Sequence, residues 1–392
     1  MLRKKNHMKT RWAPIALVGG LFGLTGCQST PPKPEMPDET AKPISANIDS
    51  LHFAEGLSVW GGAVGQEKER SLIVGALHDV DQVGAWSVDS KRTLRPVGAK
   101  METGYHPDDV VRWNEDTFLV VVEGDRKIQF WQEGGIALKL LREMPSDFPA
   151  RGAAAADLDG DGFKDFVIGP YDGSEVTIYW GLGGLEFSEP QRLAAAQSAW
   201  HPRIVDFDGD GRLDLLWSEL DSGVVRLYLN RGDRAFEERV LAEMPNRVPR
   251  SLAASDLTGN GLYDLVVATE IGGSAVVLIQ EADGTFKEEA IPAPVLGYVS
   301  TAVLDDDGVP TVALGEEGRV VLARRVGPGD WAVRELPAGS MPSSLEVADV
   351  DQDGAEDLVI YHSARDGIRI HFGPLWDRAS EAEWVADKTD GE

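Results

Sequence analysis

The stretch Asp157-Leu-Asp-Gly-Asp-Gly-Phe-Lys-Asp165 decides how this chain folds, because it returns three times. It recurs as Asp206-Phe-Asp-Gly-Asp-Gly-Arg-Leu-Asp214, as Asp256-Leu-Thr-Gly-Asn-Gly-Leu-Tyr-Asp264 and as Asp349-Val-Asp-Gln-Asp-Gly-Ala-Glu-Asp357. The first three copies start about fifty residues apart and the fourth nearly two such periods later. A degenerate copy is therefore expected in the gap. Leu304-Asp305-Asp306-Asp307-Gly308 lies there, with Thr311 where the closing aspartate would be. Each full copy runs into an apolar segment (Phe166-Val-Ile, Leu215-Leu-Trp, Leu265-Val-Val, Leu358-Val-Ile). A turn and an alternating strand follow, as in Val176-Thr-Ile-Tyr-Trp and Val225-Arg-Leu-Tyr-Leu, and then a Gly turn ending in Phe187, Phe236, Phe286 or Trp331. Short strands and Gly turns at this spacing indicate an all-β repeat, and four strands per period match a propeller blade.

Two weaker copies precede the first loop. One opens at His106-Pro107 and continues through Thr117-Phe-Leu-Val-Val-Val122 and Lys127-Ile-Gln-Phe-Trp131. The other runs from about His52 through Ser71-Leu-Ile-Val74 to Gly84-Ala-Trp-Ser-Val88. The expectation is an all-β, seven-bladed β-propeller over residues 44–387, with blades near 44–103, 104–147, 148–198, 199–246, 247–295, 296–340 and 341–387. An open solenoid would leave sheet edges uncovered. The Asp-x-Asp-Gly-Asp-Gly-x-x-Asp-Leu-Val pattern resembles the FG-GAP or VCBS repeat family, known from integrin α-subunit propellers and bacterial surface proteins. The resemblance is close in blades 3, 4, 5 and 7, whereas blades 1, 2 and 6 rest on period and strand pattern.

Three carboxylates at alternate positions, a glycine for the turn and a fourth carboxylate eight residues after the first make a ring of hard oxygens. Such a ring suits Ca²⁺, which takes six to eight oxygen ligands. Side chains at loop positions 1, 3, 5 and 9 and the carbonyl of position 7 are the expected ligands. They are Asp157, Asp159, Asp161, Phe163 and Asp165; Asp206, Asp208, Asp210, Arg212 and Asp214; and Asp349, Asp351, Asp353, Ala355 and Asp357. A fourth, weaker site would use Asp256, Thr258, Asn260, Leu262 and Asp264, with two formal charges. Without a cation the clustered carboxylates would repel one another. Ile168 and Trp217 stand where an EF-hand needs its last glutamate, so no EF-hand is implied. The alternative is an Asp/Gly-rich turn that holds no metal.

The N-terminus carries Arg3, Lys4, Lys5, Lys9 and Arg11 before the apolar run Ala13–Leu24, which ends in Leu24-Thr-Gly-Cys27. This resembles a bacterial lipoprotein signal peptide, with residues 1–26 removed and Cys27 lipidated. The alternatives are a signal anchor or a buried free thiol. Gln28 after the cysteine favours the outer membrane by the same resemblance. Residues 27–43 read as a Pro-rich tether, and 388–392 as a polar tail. One cysteine excludes a disulfide framework and Cys-rich zinc sites. A net charge of −27, from Lys+Arg 38 against Asp+Glu 65, argues against nucleic-acid binding.

By the family resemblance the segments that open the blades lie on the face opposite the Asp loops, around the central channel. They read Tyr105-His-Pro-Asp108, Phe148-Pro-Ala-Arg151, Trp200-His-Pro-Arg203 and Val248-Pro-Arg250. His106, Asp108, Arg151, His201, Arg203 and Arg250 are the candidate ligand-binding residues, suited to an anionic ligand such as an acidic sugar or a carboxylate-bearing peptide. The alternative is that each His-Pro only caps a repeat. Trp60, Trp86, Trp131, Trp180 and Trp217 are expected to pack between blades, with sugar stacking as the alternative. Glu123, Glu219, Glu270, Glu316 and His362 are the acid–base candidates among the loops. The expectation is a monomeric, non-enzymatic binding module for an envelope or extracellular protein or glycan, held at the outer membrane, periplasmic or surface-facing, by its lipid alone. A polysaccharide lyase or hydrolase acting in the channel and a scaffold subunit of an envelope assembly are the alternatives.

Overall fold

A computed structural model describes residues 49–381, apart from 68, 196–197, 271–274 and 294–299. The expected signal peptide, Cys27, the whole tether and the 388–392 tail lie outside the described residues. The described chain forms seven antiparallel sheets, five with four strands and two with a short fifth. The innermost strands are Val59–Gln66, Pro107–Arg112, Ala150–Ala156, Ala199–Val205, Pro249–Ser255, Ser300–Asp306 and Pro342–Ala348. Each touches the innermost strand of the next blade, and the first touches the seventh, so the ring is closed.

The closing element corrects the blade boundaries read from the period. Ser50–Phe53 does not begin the first blade. It pairs with Gly367–His371 and supplies the outermost strand of the seventh, in register from Ser50–His371 to Phe53–Ile368. The chain after Gly367–His371 leaves its own blade, and Ser380–Glu381 pairs with the outer strand Asp330–Gly339 of blade 6. Period counting misses this because a strand's length and pattern are the same whichever blade it completes.

In blades 2 to 5 and 7 the second strand is buried along its whole length, as in Asp165–Pro170, Asp214–Glu219, Asp264–Thr269 and Asp357–His362. That burial explains why these segments read as continuous apolar runs. The buried side chains group into seven clusters, and every cluster spans one blade–blade interface. The recurring turn aromatics plug these interfaces: Phe187 packs towards blade 2, Phe236 towards blade 3, Phe286 towards blade 4 and Trp331 towards blade 5. Trp86, Trp131, Trp180 and Trp217 are buried in the same clusters. Trp60 belongs to none of them and faces the channel instead.

Blade 6 departs from the repeat in its turn. Its first two strands are joined by Asp307-Gly308 alone, both in the left-handed region with φ of 59° and 76°. This tight hairpin has the twist that antiparallel strands prefer. The degenerate Asp loop is thus a hairpin and gathers no carboxylate cluster among the described residues. Asp306 turns inwards, accepting the backbone N–H of Leu375 and Trp376 and pairing with Arg324.

Closure through Ser50–Phe53 makes a measurable demand on stability. Phe53 is buried against Trp86, with ring centroids 5.5 Å apart. Phe53→Ala is expected to cost about 3–5 kcal/mol in urea unfolding. An unchanged midpoint would show that the strand does not close the ring.

Candidate functional site

The Asp loops and the channel mouth lie at opposite ends of the innermost strands. In the loops, the first aspartate gathers the turn around itself. Asp157 accepts the N–H of Gly160 and Gly162 at 2.8 and 2.9 Å, and Asp256 accepts those of Gly259 and Gly261 at 2.7 and 2.8 Å. These glycines have φ between 73° and 90°, which is why the loop needs them. The residue at position 7 turns its N–H onto the position 5 side chain, in Phe163, Arg212, Leu262 and Ala355 alike.

The closing aspartate has a role that the spacing did not show. Asp165, Asp214, Asp264 and Asp357 are fully buried. Each accepts one N–H from loop position 2 and one from the residue just beyond the third strand or at its end. The distances are 2.8 and 2.7 Å for Asp165, to Leu158 and Gly181, and 2.7 Å twice for Asp357, to Val350 and Gly373. Burial raises all four carboxyls, Asp165 to about 6 and Asp357 to about 7, against the lowering effect of the two N–H groups.

Three loops gather carboxylates closely enough to hold a metal ion: Asp157, Asp159 and Asp165; Asp206, Asp208 and Asp210; Asp349, Asp351 and Asp353, with candidate oxygens within 4.8 Å of one another. Asp206 Oδ1 is buried and has no hydrogen-bond partner among the described residues, an open acceptor at the centre of its cluster. The Asp256 loop, with Thr258 and Asn260 at positions 3 and 5, forms no such group among the described residues. Each full loop also meets an arginine that the motif does not contain. Arg234 pairs with Asp159 at 2.7 Å, Arg231 with Asp208 at 3.2 Å and Arg92 with Asp351 at 2.6 Å.

At the other end, a cavity of about 430 Å³ occupies the channel. The strand pairings place its wall in layers. A bulge at the start of most innermost strands puts Trp60, Asp108, Arg151, Arg250 and Ser343 in the outermost layer. Asp109, His201, Ser251, Ser300 and Ser344 form the next. Arg203 and Glu346 stand in the third, among Ala63, Val111, Ala253 and Ala302. Of the candidate ligand residues, Asp108, Arg151, His201, Arg203 and Arg250 all line this cavity. His106 does not. It stacks on the rim between Tyr105 and His78, at 3.7 and 4.2 Å.

The arginines differ in what already holds them. Arg151 is boxed by the rings of Trp60, Tyr171 and Trp200 at 4.9, 5.0 and 4.4 Å, and pairs with Asp108 at 3.2 Å and Glu123 at 3.5 Å. Arg250 pairs with Glu270 at 2.7 Å. Arg203 donates its Nε to the carbonyl of Leu252 at 3.2 Å and forms no ion pair among the described residues. Burial lowers its pKa, and Asp109 opposes that from beyond ion-pair range. His201 is 3.9 Å from Asp109 and is also held below its ordinary pKa by burial. The loop acids are spread over separate blades and individually satisfied: Glu219 pairs with Arg226, Glu316 with Arg319, and His362 bonds the carbonyls of Ala338 and Gly367.

Glu346 accepts the Val64 N–H at 2.9 Å and the Tyr361 hydroxyl at 2.7 Å, and burial pushes it up to about 7 from 4.5. Between those two values the folded protein binds a proton that the unfolded chain lacks, so this contribution to stability falls as pH rises through the window. Glu346→Gln, which cannot ionise, is expected to gain about 1–3 kcal/mol on the wild type between pH 5 and pH 8. Urea melts across that range test this, and parallel curves would refute a raised Glu346.

Residues 157–217 and 206–267 match the FG-GAP-like repeat family. No curated protein matches the sequence. Among solved structures, a 6-phosphogluconolactonase-like protein from Bacteroides uniformis is similar in fold, with a TM-score of 0.62 and 12% identity over 81% of this chain and 96% of that one. A protein from Lactobacillus plantarum matches with a TM-score of 0.52 and 14% identity, over 72% of this chain and 86% of that one. At such identities the likeness concerns the fold alone. The chain is a seven-bladed β-propeller, and residues 157–267 within it carry FG-GAP-like repeats.

Proposed function

We propose that this propeller is a calcium-stabilised, non-enzymatic binding module that receives an anionic group of a protein or glycan partner in its channel. Arg203 is the observation that carries this reading. It is a recessed cation in an alanine-lined layer, with no carboxylate in ion-pair range among the described residues. An anionic ligand would supply the missing charge where low polarity makes the attraction strong. Cys27 would tether the module to the outer membrane, facing the periplasm or the surface, a reading that rests on the Leu-Thr-Gly-Cys sequence. Cys27→Ser should move the protein from the membrane to the soluble fraction.

The loop donors support calcium. They are all oxygen, mostly carboxylate, and arranged around glycine turns, which suits a hard cation with flexible coordination. The three clustered loops would hold the ions, and in this position calcium would offset the repulsion within each cluster. Native mass spectrometry should show three bound Ca²⁺, and EDTA should lower the melting temperature by several degrees. An unchanged melting temperature would sink the calcium reading.

A second reading is enzymatic, favoured by the Asp109–His201 pair in the channel. A neutral imidazole beside a carboxylate can take a proton from a bound substrate. The two readings separate in one comparison with immobilised acidic glycans and acidic peptides. Binding without conversion, weakened at least tenfold by Arg203→Gln, supports the module. Turnover that His201→Ala abolishes without loss of stability would replace it with an enzyme.

A further inference from the structure

The channel wall is not uniform around the ring. Blades 1 to 5 bring rings and charges: Trp60, Asp108, Asp109, Arg151, His201, Arg203 and Arg250 line the cavity, and Trp200 stands behind Arg151 and Arg250. Blades 5 to 7 bring short hydroxyls, Ser251, Ser300, Thr301, Ser343 and Ser344, together with Glu346, which is already bonded to Val64 and Tyr361. Several of these hydroxyls have capacity to spare. Thr301 Oγ1 is buried without a hydrogen-bond partner, and Ser344 has no side-chain partner among the described residues. The oxygen of Ser251 accepts the N–H of Thr301 at 3.2 Å, which leaves its own proton to donate. Buried polar groups of this kind are normally matched, so unmatched ones around a cavity point to a ligand rich in polar groups.

The rim above is aromatic and stiff. Tyr171 stacks on Trp200 with centroids 5.6 Å apart, and the Arg151 guanidinium fixes both from below. Tyr171 remains 39% exposed. From the rim layer to the layer of Arg203 is three residues along a strand, roughly 10 Å at the usual rise per residue. That depth takes one sugar ring inside the channel and a second across the rim.

Resting on the anion-binding reading, we propose that the ligand is the terminal uronate unit of an acidic glycan. Its carboxylate pairs with Arg203, and its hydroxyls meet Ser251, Thr301 and Ser344. The neighbouring sugar lies over Tyr171 and Trp200. The cavity volume of about 430 Å³ is of the size that accepts a small ligand or the tip of a chain, and it excludes a folded partner.

The test is titration calorimetry of the calcium-loaded protein with galacturonate, glucuronate and mannuronate disaccharides. Uncharged galactose disaccharide and a glutamate-containing tripeptide serve as comparisons. At least one uronate should bind tenfold or more tightly than the neutral sugar. Arg203→Gln should abolish this preference and Arg203→Lys should retain part of it, with circular dichroism confirming that each variant folds. Ser344→Ala should weaken the uronate three- to tenfold, and Tyr171→Ala should weaken the disaccharide while sparing the monosaccharide. If the tripeptide binds and no uronate does, the glycan assignment is overturned while anion binding stands. If the neutral sugar binds as tightly as the uronates, the role of Arg203 falls. If neither anion binds, the inference and the reading beneath it fall together.

Discussion

Everything in this molecule depends on the pairing of Ser50–Phe53 with Gly367–His371. A blade of four antiparallel strands exposes two apolar faces, and each must find a neighbour. Six interfaces can form along the chain, but the seventh needs the two ends to meet. The first strand does this by completing the last blade, which places Leu51 and Phe53 in the same core cluster as Trp86 and Ile370. The same strand covers the edge of the last blade and fills the seventh interface. The channel exists only because the innermost strands are then held in a circle.

The Asp loops solve a second problem, the sharp reversal between an innermost strand and a fully buried one. Burying the closing carboxylate is costly, and two backbone N–H groups per aspartate offset that cost while tying the loop to the far end of the third strand. The arrangement at Asp165 is repeated at Asp214, Asp264 and Asp357, whereas blade 6 abandons it for a two-residue hairpin. The metal-ligand geometry is therefore built on a turn that already has internal bonds. This explains how the Thr258 and Asn260 loop keeps the same shape without gathering a full set of charges. Arg92, Arg231 and Arg234 moderate the repulsion in the three clustered loops, two of them reaching across from the next blade.

At the opposite end, the pattern of charge pairing matters more than the number of charges. Arg151 and Arg250 are matched by acids at close range, and Arg151 is further held by three rings. Both therefore shape the rim. Arg203 differs because its layer is otherwise small and apolar apart from Glu346, which is occupied by Val64 and Tyr361. An unmatched guanidinium in such surroundings is a costly feature for stability alone.

The sequence by itself determined the number of blades, the all-β class, the four full turns and the tryptophans that pack between sheets. These follow from period and alternation, which are local properties and survive translation along the chain. Of its six candidate ligand residues, Asp108, Arg151, His201, Arg203 and Arg250 line the channel, because the segments that open the blades recur with the period. Tertiary structure alone decided how the ring closes, since pairing between Ser50–Phe53 and Gly367–His371 spans the length of the propeller and leaves no mark on the period. It alone showed the closing aspartates as struts and His106 as a rim residue, because bond partners lie on other strands. The same reason holds for Arg203. Its lack of a charged partner is a property of the space around it, set by six other strands, and no pattern within its own repeat could encode it.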